Sequence, residues 1–155
     1  NMFFLYASTP GWLNGFTPKI YPLTPQAISK KYARNPKLYA DISGMSVSIT
    51  PSSTSNKILI LFDIGIGSQE TARNDNVRLM RDATAIADPT NFLRTVNVGL
   101  MYNASTNFLD TPSSTSSLTY KLQWKTEGGD ILYLNRKAET TVRSTSTITV
   151  MEIAG

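Results

Sequence analysis

SLTYKLQWK, Ser117 to Lys125, alternates without a break. Leu118, Tyr120, Leu122 and Trp124 fall on one side of an extended chain, and Thr119, Lys121, Gln123 and Lys125 on the other. A period of two marks a strand with one face buried and one wet. Downstream, EGGD at Glu127 to Asp130 reads as a hairpin turn from its glycines, with ILYLNRK as the returning strand. Upstream stands TPSSTS, Thr111 to Ser116, and the same six residues occur at Thr50 to Ser55 ahead of NKILILFDIGIG. Proline fixes φ and withholds a donor, while Ser and Thr side chains bond nearby backbone in turns. Each copy reads as a loop feeding a strand, and the pair as equivalent loops at one end of a β-sandwich.

The rest of the chain beyond Tyr39 follows the same pattern. In MSVSIT, Met45, Val47 and Ile49 share one face. KILILFDIGIG begins apolar on both faces, as expected of a central strand covered on each side, and then alternates through Ile64 and Ile66. NVRLMR is a short strand, DATAIA a turn with a small-residue segment, and VNVGLMY a strand with Val96, Val98, Leu100 and Tyr102 on one face. STSTITVMEIAG supplies a last strand tied into the sheet. Six to eight short strands between Ser, Thr, Gly and Pro loops predict an all-β fold, an antiparallel β-sandwich, with an open barrel as the lesser alternative.

At 155 residues, with 41% hydrophobic and 17% charged, the chain suits one core. Polarity comes mainly from 35 Ser and Thr residues. The chain has no Cys and no His. That removes disulfides, thiolate nucleophiles, Ser-His-Asp and Cys-His arrangements and the usual zinc sites. The longest aliphatic and aromatic run, ILILF, is too short to cross a bilayer, and NMFFLYASTPGWLNG has no basic n-region, so neither membrane insertion nor a signal peptide is expected.

Residues 1–38 differ in kind and are assigned to an extended arm, with 39–155 as the head domain. Five of eight prolines lie in the arm, among aromatics without periodicity that cannot build a core of their own. Phe3, Phe4, Tyr6, Trp12 and Phe16 are candidate anchoring residues against a neighbouring surface, joined by Lys30, Lys31, Arg34 and Lys37. The first forty residues carry a charge of +5 and the remainder −1. Such a segment suits an acidic partner, although a solvated face is its ordinary role. With no Gly-rich phosphate cradle or aromatic RNA-reading motif, no direct nucleic-acid contact is expected. TPQAISKKYARNP reads either as a helix capped by Thr24 and Pro25 or as part of a strand from Ile28 to Ile42.

DISGMSVSITPSSTSNKILIL, RLMRDATAIA, NFLDTPSSTSSLTYKLQWKT, LYLNRKAE and RSTSTITVMEIAG stand here in one order. Together, from Tyr39 to Gly155, they resemble a C-terminal domain family of tail-fibre and other virion proteins in tailed phages of marine and freshwater bacteria, cyanophages among them. In that family the stretch before GMSVSI is extended, which favours the strand over the helix. Domains of this kind are similar to the jelly-roll heads of the tumour necrosis factor and complement families, which trimerise. The resemblance implies a virion structural protein: a homotrimeric tail-fibre or spike head that recognises the host surface and takes a host cell-surface glycan as a possible partner. This chain departs from the family in having no long shaft or collagen-like repeat before the domain. A capsid decoration or head-fibre protein, fixed by its arm to other virion proteins of the tail or capsid, is therefore the alternative. A surface-polysaccharide depolymerase is the lesser one.

No catalytic, metal or cofactor-binding residue is assigned, no cofactor is expected, and the residues that meet a receptor are not assigned. Asp63 interrupts a core strand and Glu152 lies in the last one, so each is expected to pair with Arg78, Arg81 or Arg143. RNDN, Arg73 to Asn76, lacks the Gly and distal Glu of a calcium loop and reads as an ordinary loop. Trp12, Trp124, Tyr102, Tyr120 and Tyr133 are candidates for stacking on a sugar, with alternation assigning Tyr120 and Trp124 to the core.

Overall fold

The structure, a computed structural model, describes residues 19–22, 38–68, 73–88, 93–95, 100–126, 131–137 and 144–155. They form ten strands: β1 (Lys19–Pro22), β2 (Ala40–Ile49), β3 (Lys57–Ser68), β4 (Arg73–Arg81), β5 (Thr84–Ala87), β6 (Leu93–Thr95), β7 (Met101–Asp110), β8 (Leu118–Lys125), β9 (Leu132–Leu134) and β10 (Thr147–Ile153). One sheet has the order β1-β10-β3-β7, with β9 also on β3, and the other β2-β8-β4-β5, with β6 also on β4. They are called the β3 sheet and the β8 sheet below. Every pairing is antiparallel. Leaving aside the three-residue β6 and β9, the eight remaining strands can be lettered B to I in chain order. The sheets are then B-I-D-G and C-H-E-F, the strand order of a jelly roll.

The core lies between the sheets and follows the alternation. Ile58, Ile60, Ile64 and Ile66 of β3 and Tyr120 and Leu122 of β8 have no exposed surface, and Ile148 and Val150 of β10 join them. In β2 the buried residues Ile42 and Met45 are three apart, which simple alternation would place on opposite faces. The register shifts between Asp41 and Ser46, and Gly44 takes φ 83° there. This bulge brings both side chains inward, at a backbone conformation that glycine adopts without steric cost.

The two TPSSTS segments are equivalent. The first leads from β2 to β3 and the second from β7 to β8, so both cross between sheets. Ile49 pairs with Leu118 and Ile58 with Asp110, which puts both crossings at the same end. Each makes the same turn at its fourth and sixth residues: Ser55 N–H donates to Ser53 Oγ (3.2 Å) and Ser116 N–H to Ser114 Oγ (3.0 Å).

Several expectations change. EGGD does not close a hairpin, since β8 belongs to one sheet and β9 pairs with β3 of the other through Ile66↔Leu134. Glycines signal that the chain reverses, not which sheet receives it. RNDN is the start of β4 rather than a loop, with Arg73 to Asp75 paired to β6 and Asp75 fully buried. The strand read at VNVGLMY begins only at Met101 and continues through NASTNFLD, while Leu100 is exposed and 96–99 lie outside the described residues. β7 lies at the edge of the described sheet, and its polar sequence hides the pattern. The outer face of β3 is also less covered than its apolar run suggests, for Leu61 remains 37% exposed.

All nine anchoring candidates, the stretch 25–35 and the glycines of EGGD lie outside the described residues. Of the segment assigned to the arm, Lys19–Pro22 form β1 on β10 through Lys19↔Val150 and Pro22↔Thr147.

Candidate functional site

The paired crossings are held by carboxylates. Glu152, near the end of β10, accepts from Ser52 N–H (2.6 Å), Ser52 Oγ (2.8 Å) and Asn56 Nδ2 (2.6 Å) through one oxygen. Burial pushes its pKa up, but the bonds from Asn56 and Ser52 outweigh that and hold it below its ordinary value. The expected arginine partner is therefore replaced by the first TPSSTS loop itself, because the strand end directs Glu152 at the crossing. At the second crossing Asp110 accepts from Arg81 Nη1 (2.8 Å) and from Tyr120 OH (2.7 Å). Burial and this bond raise the Tyr120 pKa far above the usual phenol range. Asp82, at φ 52°, extends the clamp: its N–H donates to Thr119 O (2.7 Å) and its carboxylate accepts from Thr119 N–H (2.8 Å).

The outer faces of the two sheets differ in chemistry. The β8 sheet is charged. Lys121 and Gln123 donate to Asp41 (2.9 and 2.6 Å), Arg78 Nε donates to Gln123 Oε1 (2.8 Å), and the guanidinium lies 3.9 Å from the Tyr39 ring centre. Tyr39 OH donates to Asp88 (2.6 Å), and burial with this bond raises its pKa to about 12. The bonds from Gln123 and Lys121 hold the Asp41 carboxyl below its usual range. This ladder satisfies its own charges across β2, β8 and β4.

The β3 sheet presents exposed Leu61, Leu109 and Ile153 with a field of Ser, Thr and Asn. In its middle a shallow depression of about 360 Å³ is lined by residues of three strands, Leu61 to Asp63, Ser105 to Asn107, and Thr147 with Thr149. Asp63 faces this outer side, since Phe62 and Ile64 face the core. Of the arginines expected for it, Arg81 is bound to Asp110 and Arg78 to Gln123, while Arg143 lies outside the described residues. Among the described residues Asp63 Oδ1, which is buried, meets no hydrogen-bond partner. An aspartate inside an apolar strand was the sequence signal for this site. The surrounding hydroxyls come from strands β7 and β10, whose neighbourhood only the sheet order reveals.

Beyond the depression, β3 is covered at Gly65 and Gly67. A Cβ on Gly67 would run into the backbone carbonyl of Arg136, and one on Gly65 into the Ser144 hydroxyl. Gly65 N–H donates to Ser146 Oγ (3.0 Å), and Asn135 N–H to Gly65 O (2.8 Å). Of the sugar-stacking candidates, Tyr120 and Trp124 are core residues, Tyr133 is buried with Arg136 4.2 Å from its ring centre, Tyr102 is half-buried, and Trp12 lies outside the described residues. Among the described residues no three Asp or Glu side chains come together as a metal site.

No family model and no curated protein matches the chain. Solved structures similar to it include the infectious bursal disease virus VP2 subviral particle, at TM-score 0.48 and 12% identity over 96% of this chain and 42% of that one. Another is the Gx strain of the same virus, at TM-score 0.47 and 12% identity over 90% and 32%. A third is dimeric latent PorU from Porphyromonas gingivalis, at TM-score 0.47 and 10% identity over 96% and 14%. The chain spans less than half of each. The fold assignment rests on the strand order.

Proposed function

We propose that the chain is a virion structural protein, its jelly roll serving as the homotrimeric head of a tail fibre or spike that binds the host surface. The observation that carries this reading is the jelly-roll strand order, seven of whose eight strands come from residues 39–155, the stretch of the phage-domain resemblance, with β1 added from the segment before it. A fold alone does not fix a function, so the sequence resemblance bears the functional part. The clamped crossings suit a rigid head, and the open depression suits contact with an extended surface rather than turnover of a small molecule.

A capsid-decoration role is the second reading, favoured by the direction of β1. Its antiparallel pairing to β10 brings the chain into the sheet from the end that carries both TPSSTS crossings. In this reading Phe3, Phe4, Tyr6, Trp12 and Phe16, which precede β1, fix the protein to the tail or capsid, and Lys30, Lys31, Arg34 and Lys37, which follow it, orient the contact. Immunogold labelling of intact particles tests both: gold on the tail supports the first, gold on the capsid the second, and its absence from particles contradicts both.

A further inference from the structure

The outer face of the β3 sheet carries a continuous apolar row. Leu59 is paired with Leu109 on one side and Met151 on the other, and paired residues of neighbouring strands project to the same side of a sheet. Ile58 and Ile60 face the core, so this row faces outward. Leu61 and Ile153 flank it, and both remain exposed, as does Leu109. Single exposed leucines are ordinary, but a row contiguous across three strands marks a contact surface. Strands β3, β7 and β10 put two charged residues on this face, Lys57 and Asp63, whereas the outer face of the other sheet is laced by Asp41, Arg78 and Lys121.

The chain itself supplies a segment matched to the row. Residues 1–18, outside the described residues, contain no charged side chain, and Trp12 and Phe16 stand among them on one side of an extended chain. β1 fixes where that segment starts. Lys19 is paired with Val150, next to Met151, and β1 runs from there away from the apolar row to Thr147. The chain before Lys19 therefore meets the sheet edge at the level of Met151, Leu59 and Leu109. Neighbouring strands lie about 4.8 Å apart, so the path from β1 over β10 and β3 to β7 is roughly 14 Å. At ~3.3 Å per extended residue about five residues span it, the length from Trp12 to Phe16. A short tether also holds the segment at an effective concentration on the order of millimolar, which no separate partner matches without binding tightly. We propose that residues 12–16 lie across the outer face of the β3 sheet of their own chain, with Trp12 and Phe16 packed on Leu59, Leu109 and Met151. The hydroxyl-lined depression stays open beside them. Trp12 and Phe16 are thereby taken out of the virion contact, and Phe3, Phe4 and Tyr6 are left for it beyond the β7 edge.

Because the chain has no Cys, Leu13→Cys places a single nitroxide label on the segment, on the side of an extended chain opposite Trp12 and Phe16. In NMR spectra of the full chain with isotope-labelled methyl groups, the nitroxide should broaden Leu59, Leu109 and Met151 and leave Thr119, on the outer face of the β8 sheet, sharp. Adding Trp12→Ser and Phe16→Ser should abolish this broadening, keep the circular dichroism of the fold and raise binding of a hydrophobic dye severalfold. Nitroxide chains refolded together with isotope-labelled chains that carry no nitroxide should broaden none of these signals. Absence of broadening in the labelled chain, equal broadening on both sheets, or broadening that survives loss of the two aromatic rings would overturn the inference. Broadening in the mixed sample would overturn it too, by placing the segment on a neighbouring copy. The test uses the free chain and does not depend on the virion role: its failure leaves that role standing, and absence of the protein from particles leaves this contact standing.

Discussion

At the scale of single residues, carboxylates do three different jobs in this molecule. Asp41 belongs to a solvated ladder, Glu152 and Asp110 latch the two crossings, and Asp63 stands unlatched. Glu152 gives the sharpest test of a latch. Its native pKa is lowered from 4.5, so the stability it contributes is fully present above pH 4.5 and is lost as pH falls through the lowered native value. Unfolding free energies from urea titrations should fall across that acidic window, and Glu152→Gln should shrink the fall and cost about 1 kcal/mol at pH 7. An identical acid profile in the variant would mean that the loop does not depend on the carboxylate. Residue identity alone does not reveal such roles. That Glu152 needed a partner was readable from its place in an apolar strand, but the sequence pointed to arginine, because the loop that satisfies it is about a hundred residues away in the chain.

At the scale of elements, strands with one wet face were legible and strands at edges or under cover were not. SLTYKLQWK became β8 with burial alternating at every residue. The TPSSTS repeat correctly implied matched loops, because proline and paired hydroxyls impose local geometry without help from the fold. MYNASTNFLD did not read as a strand, since an edge strand with few buried side chains carries little hydrophobic period. LYL is buried at all three positions and holds no period either, so its assignment to the β3 sheet had no sequence signal. The β8 register makes a direct prediction. Trp124, 3% exposed, should cost about 3–5 kcal/mol when replaced by Ala. Lys121, whose ion pair joins the well-exposed Asp41, should cost less than about 1 kcal/mol. Chemical denaturation of both variants checks this, and equal losses would place the register or the burial wrongly.

At the scale of the whole molecule, the two sheets divide the labour. The charged ladder solvates one outer face, and the hydroxyl surface of the other is open to a neighbour. Among the described residues β2 and β7 stand at sheet edges, where backbone groups are left to pair, a liability that association removes. The proposed homotrimer should appear in sedimentation velocity of the purified chain as one species of three times the 17.1 kDa chain mass, and a stable monomer at micromolar concentration would contradict it. Incorporation into particles tests the virion role most directly. A phage lacking the protein is complemented either with the full chain or with one lacking residues 1–18, a deletion that spares β1. The full chain should be recovered in purified particles, while the shortened chain, folded by circular dichroism, should be missing from them. Absence of the full chain from the particles would contradict the virion role, and equal recovery of both chains would contradict anchoring by the aromatic segment.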